Sequence, residues 1–135
     1  YERSFYIGEL LAAYYENSTI VNVDNSFSPR KYFPYGNNLL GYTHGDSEKP
    51  HDLPLIMATE VPINFASAKY RAWRLGHLHK HMHDEYRGVE VTFLPSICGN
   101  DEWHNKMGYY SLRRAQGYIW SKTRGKEGYI QLNYE

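Results

Sequence analysis

From Lys31 to Leu75 the chain alternates between β-prone and helical runs, and that order gives a mixed α/β domain. KYFPYGNNLLGYTH reads as two strands turned at Gly36, Asn37 and Asn38, with Pro34 pushing the first toward a sheet edge. The second, Leu39 to Thr43, ends just before His44. GDSEKPHDLP is polar and turn-rich; a helix from Leu53 to Glu60 follows, ended or bent by Pro62, with a shorter helical piece over Asn64 to Ala68. YRAWRL, residues 70–75, is a strand that delivers Gly76 and His77 at its end.

The flanks complete the pattern. Ile7, Leu10, Leu11, Tyr14 and Tyr15 are spaced for an amphipathic helix that stops at Asn17 and Ser18. TIVNV, 19–23, is short and β-branched and predicts a strand. HMHDEYRGVEVTFLP predicts a hairpin turning at Arg87 and Gly88, and the tail a second one around Gly125. GNDEWHNKMG between them reads as a loop with one helical turn. With no internal repeat or interdomain linker, residues 1–135 are expected to belong to one domain.

Charge and composition exclude some functions. Fifteen basic residues balance fifteen acidic ones, so no global field steers the chain to nucleic acid or anionic membrane, although a local basic patch remains open. Cys98 is the single cysteine, which removes any internal disulfide framework, and a packed thiol is expected there. No apolar run approaches the roughly 20 residues that cross a bilayer. A soluble cytoplasmic protein is the default expectation. The chain opens at Tyr1, and a preceding segment is expected.

RLGHLHKHMHDE carries histidines at 77, 79, 81 and 83. A regular strand spaces alternate side chains about 6.5 Å apart, so two such rings share one ion only if the backbone bends. Gly76 supplies that freedom. His44 arrives in the same way as its own strand runs out, and open α/β sheets place ligands beyond the carboxyl ends of strands. His44, His77 and His79 thus form a candidate metal cluster suited to zinc, iron or nickel, or to manganese where carboxylates join. A histidine on a strand edge is more often merely solvated or locally hydrogen-bonded, and His81 and His83, inside a hairpin arm, read that way.

LLGYTHGD followed by WRLGHLHK resembles the last two metal motifs of the calcineurin-like metallophosphoesterases. RKYFPYGNNLLGYTHGDSEK, GHLHK and LPSICGNDEWHNKMGY with RRAQGYIW are similar in particular to phage and prophage members. The resemblance implies a four-layer α/β/β/α sandwich with mixed sheets and a site of two divalent ions, Mn2+, Zn2+ or Fe. It makes His44 and His77 ligands of the second ion and His79 a ligand of the first. It implies hydrolysis of phosphate esters by a phosphodiesterase or nuclease, with DNA and RNA among the candidate substrates. Two ions about 3.5 to 4 Å apart activate water and offset phosphoryl charge in such sites.

The chain also departs from that family. It contains no Asp-x-His, and Gly45-Asp46 lacks the second aspartate because residue 49 is Lys49. Gly99-Asn100-Asp101-Glu102 imitates the family's asparagine motif but has Asp101 for histidine and follows GHLHK, so it reads as a turn. Three neutral imidazoles cannot offset four positive charges. The expectation is therefore a C-terminal half that is inactive alone, completed by an N-terminal half on a complementary chain or a removed segment. Two alternatives stand beside it: a noncatalytic scaffold of the same fold, and a single zinc held by the three histidines with water as fourth ligand. Further candidates near the site are Asp46 as an orienting carboxylate, Trp103 and His104 as substrate contacts or loop anchors, and Arg113, with Arg114, as a phosphate cation or surface ion-pair donor.

Overall fold

The computed structural model describes residues 2–98 and 112–134. Helix α1 (Glu2–Tyr14) opens the chain and is followed by β1 (Arg30–Tyr35) and β2 (Asn38–Thr43). A 3-10 turn (Pro50–Asp52) leads into α2 (Leu53–Glu60) and α3 (Pro62–Ser67), and then come β3 (Tyr70–Leu75), β4 (Met82–Tyr86) and β5 (Val89–Phe93). The tail forms β6 (Arg114–Ser121) and β7 (Gly125–Asn133). The strands make a five-stranded mixed sheet ordered β1-β2-β3-β5-β4 and a two-stranded sheet β6-β7. The protein is a mixed α/β fold with a mixed sheet.

Parallel pairing is confined to the centre, where β2 pairs β3 and β3 pairs β5. Parallel neighbours need a long crossover, and α2 and α3 supply it between β2 and β3. Pro34 sits on β1, an edge strand, where a missing N–H costs no ladder bond to a further neighbour. Pro62 does more than end α2, since it occupies the first turn of α3, where an amide proton would have no partner anyway. At the β4–β5 turn both Arg87 (φ 52°) and Gly88 (φ 76°) are left-handed, as a two-residue turn of the I′ type demands.

Strand alternation gives the central sheet two unlike faces. Leu39, Trp73, Leu75, Val89, Val91 and Phe93 pack with Leu53 and Met57 of α2 as the apolar core. Trp73 is 0% exposed, and its indole N–H donates to the Leu53 carbonyl at 3.1 Å. Gly41, its partner across the ladder, leaves room for the indole, because a Cβ there would lie 2.6 Å from the ring. Gly41→Ala is expected to cost about 1–3 kcal/mol through overpacking. An unchanged urea midpoint would show that the ring is free to move aside.

The opposite face is polar and receives the β6–β7 hairpin. Arg74, 5% exposed, pairs with Glu90 at 2.5 Å and stacks over Tyr118, while Lys126 reaches the same carboxylate at 2.6 Å. Asn38 donates to the Ser121 carbonyl at 2.9 Å. Helix, sheet and sheet thus follow one another in the expected layer order among the described residues.

Two expectations fail. Residues 19–23 form no strand; they are β-prone in composition, but among the described residues no strand pairs with them to complete a ladder, and Ile20 is 92% exposed. Cys98 is exposed, because β5 ends at Phe93 and the thiol lies in the loop beyond. Helix α1 forms as expected, yet its stripe of Ile7, Leu10, Leu11 and Tyr14 is uncovered, with Leu10 70% exposed.

Candidate metal centre

The pairing of β2 and β3 builds the site. The ladder matches Thr43 to Leu75, so both strands run out at the same level. One step further, the Gly76 N–H donates to the His44 carbonyl at 3.0 Å. His44 and His77 therefore emerge side by side at the carboxyl ends of neighbouring parallel strands, where α/β sheets place their ligands. His44 Nε2 and His77 Nδ1 are 3.3 Å apart, and the rings stand nearly perpendicular at 72° with centroids 5.2 Å apart. Both residues are exposed. In the neutral state one imidazole donates its N–H to the lone pair of the other.

That spacing fits a shared cation. Two imidazole nitrogens held by one tetrahedral zinc at about 2.0–2.1 Å stand roughly 3.3 Å apart. An ion held by both rings would take the place of the shared proton. The loop behind His44 is fixed by Glu48, whose buried carboxylate takes bonds from Thr43 Oγ1 at 3.1 Å and Arg30 at 2.9 Å. Arg30 in turn holds Glu60 at the end of α2. Nothing in the sequence marked Glu48 beyond its being one of several charges in a polar loop.

The histidine loop is sharply bent. His77 has φ 62° and His79 φ 52°, both left-handed and both unusual for a residue with a side chain. The Leu78 N–H bonds back to the Gly76 carbonyl at 2.8 Å around His77. Positive φ with that bond makes the strained form of γ-turn.

Asp46 is exposed, and its carboxyl lies below its ordinary value. Desolvation raises it, but its own backbone N–H, the Ser47 hydroxyl and the charge that His44 and His77 carry when protonated together outweigh this and pull it down. It is therefore within electrostatic reach of both rings.

The remaining candidates divide. His79 is half-buried, two residues beyond His77 in the same loop. Among the described residues, no three His, Cys, Asp or Glu side chains are gathered closely enough to hold an ion. The structure thus brings His44 and His77 together and carries His79 nearby without assembling a three-ligand set. His83 bonds Thr92 Oγ1 at 3.0 Å and His81 meets the Gln116 amide, so both anchor β4 to its neighbours. Arg113 donates to the Ile97 carbonyl at 3.1 Å and stacks on Tyr134, which ties the tail to the loop after β5. Trp103 and His104 lie outside the described residues. A cavity of about 620 Å3 that reaches His44, with Phe5, Phe27 and Lys31 in its wall, had no sequence signal beyond the polar loop before Pro29.

Fold and site together define a mixed α/β protein with paired imidazoles at the ends of parallel strands. No family model matches the chain, and no curated protein matches it. Among solved structures it is similar to a double mutant of Vps29 from Entamoeba histolytica, at 11% identity and a TM-score of 0.45, over 86% of this chain and 66% of that one. It is also similar to a single mutant of Vps29 from the same organism, at 13% identity and a TM-score of 0.46 with the same coverage. The chain thus spans 66% of the length of those two Vps29 chains. Similarity at this identity is one of backbone arrangement alone.

Proposed function

We propose that His44 and His77 are the histidine side of a divalent-metal centre that hydrolyses phosphate esters, phosphodiesters of DNA and RNA among them. The 3.3 Å separation of their ring nitrogens carries the reading. His79 is assigned as the further imidazole, and the ions as Mn2+, Zn2+ or Fe. When bound, two such ions make water a stronger nucleophile and offset charge on the phosphoryl group. The chain's own part is to present neutral nitrogen lone pairs at fixed spacing, with Asp46 orienting a ring or a nearby water. The carboxylates that two dications need come, in this reading, from an N-terminal half, either a complementary chain or a segment joined ahead of Tyr1. The uncovered stripe of α1 and the exposed Ile130 and Leu132 of β7 offer apolar surface for such a half to cover.

A noncatalytic scaffold of the same fold is the second reading, favoured by the lack of any assembled three-ligand set among the described residues. Cobalt(II) absorption separates the two. The metal reading expects cobalt to bind this chain and His44→Ala to weaken binding by at least about tenfold. Equal binding by both proteins removes the metal centre. Manganese-dependent phosphodiester hydrolysis is expected to be negligible for the chain alone and to appear with the N-terminal half present. Turnover by the lone chain that His44→Ala abolishes would overturn the need for that half.

A further inference from the structure

We propose that a second cleft, at the opposite end of the central sheet from the histidine pair, binds a purine nucleotide, with the base inside and the phosphate at the rim. The cleft has a volume of about 240 Å3 and opens where the start of β3, the β4–β5 turn and the β6–β7 turn meet. It stands roughly 17 Å from the histidines by the rise of a strand, and nothing in the proposed hydrolytic centre uses it.

The floor is a single row across the sheet. Ala72 is level with Glu90, and Glu90 with Glu85, so the three share one face. Ala72 adds no bulk and leaves the depth. Glu90 is committed to Arg74 and Lys126. Glu85, exposed on edge strand β4, has no ion-pair partner among the described residues. A carboxylate with both oxygens available is an acceptor for paired N–H donors. Trp120 and Tyr70 contribute aromatic wall, the surface on which bases stack.

The rim is basic. Lys69, Arg124 and Lys126 border the cleft. Arg124 is paired with Glu127, and Lys126 with Glu90. Lys69 lies over the Tyr70 ring and is offset by no carboxylate among the described residues, while Arg71, one residue out of step with Ala72, turns its guanidinium to Phe65 on the helical face of the sheet. The volume decides how a ligand sits. Pockets that enclose a whole small ligand run from about 300 to 1,000 Å3, so this one takes a flat ring system and leaves the rest outside. An aromatic ring with adjacent N–H donors on one edge and an anion on the other matches acceptor floor, aromatic wall and cationic rim together. Guanine offers two neighbouring donors to the Glu85 carboxylate and adenine only its amine, so a guanine nucleotide is the better fit. The same unit comes either free or within a strand.

Calorimetric titration of the full chain with GMP, AMP, guanosine and a short guanine-containing single strand tests the proposal. GMP is expected to bind with a dissociation constant at or below about 1 mM, ahead of AMP. Glu85→Gln should remove the preference for GMP over AMP. Lys69→Ala combined with Arg124→Ala should weaken GMP at least about fivefold and leave guanosine unchanged. A strand that binds as tightly as GMP identifies the nucleotide as part of a polymer; a weaker strand identifies the free nucleotide. Absence of saturable GMP binding, or GMP binding that neither set of variants alters, overturns the proposal. Each variant should keep wild-type cobalt binding, so failure here is separable from failure of the histidine centre.

Discussion

Arg74→Ala is expected to cost about 3 kcal/mol of folding stability, more than a hundredfold in the folding equilibrium. Removing one partner of a buried ion pair costs about 3–5 kcal/mol because the other charge is left in a poor solvent. Lys126 remains at 2.6 Å from the Glu90 carboxylate, which places the loss at the low end. The guanidinium also lies over Tyr118 at 4.3 Å, and that packing disappears with the side chain. If charge is the cause, Arg74→Met together with Glu90→Gln should recover most of the loss, since neither charge of the pair is then left stranded and both side chains keep much of their volume. Urea unfolding of the three proteins decides it. A double variant as unstable as Arg74→Ala would move the cause from charge to shape.

The pH dependence of that deficit has a definite sign. The Glu90 carboxyl is desolvated, which raises its pKa, but Lys126 and Arg74 outweigh this and hold it below its ordinary value. A depressed folded pKa stabilises above the unfolded value, about 4.3, and the contribution is lost as pH falls through the folded one. The gap between wild type and Arg74→Ala should therefore narrow in acid. A gap that is constant through that range would mean the carboxylate is not the group left stranded.

Elements whose evidence is local were legible in the sequence. Leu53–Glu60 and Tyr70–Leu75 form with the bounds that periodicity and proline spacing indicate, and the turns at Gly36, Gly88 and Gly125 fall where glycine allows them. Cys98 and the β-branched 19–23 run misled, because burial and strand pairing depend on neighbours that composition does not name. His44 and His77 could each be placed at a strand end. Only the parallel ladder that levels Thr43 with Leu75 turns two separate strand ends into one site, and register between strands 32 residues apart is not a local property. The polar face of the sheet was illegible for the same reason. Arg74 and Glu90 look like surface charges until Lys126, Tyr118 and Trp120 close over them from the tail.

His77→Gly should lower metal affinity by about a hundredfold while leaving the fold as stable as before or more so, by up to about 1 kcal/mol. His77 is left-handed at φ 62°, which costs a residue with a Cβ about 1–2 kcal/mol, and glycine escapes that cost. Glycine gives back roughly 0.5–1 kcal/mol through a freer unfolded chain, and loss of the bond to His44 takes about 0.5–1.5 kcal/mol at most, less at an exposed site. His77→Ala keeps the backbone penalty without the ring, so it should lose the metal and gain no stability. The comparison tests why the strain is there. Left-handed residues that persist without glycine tend to mark places where the side chain is needed in that direction. If thermal unfolding finds His77→Gly destabilised by well over 1 kcal/mol, the ring is part of what holds the loop, and the bend is not being kept for a cation. If instead glycine is tolerated and cobalt binding collapses, the imidazole is kept against the preference of its own backbone, which is the signature of a ligand.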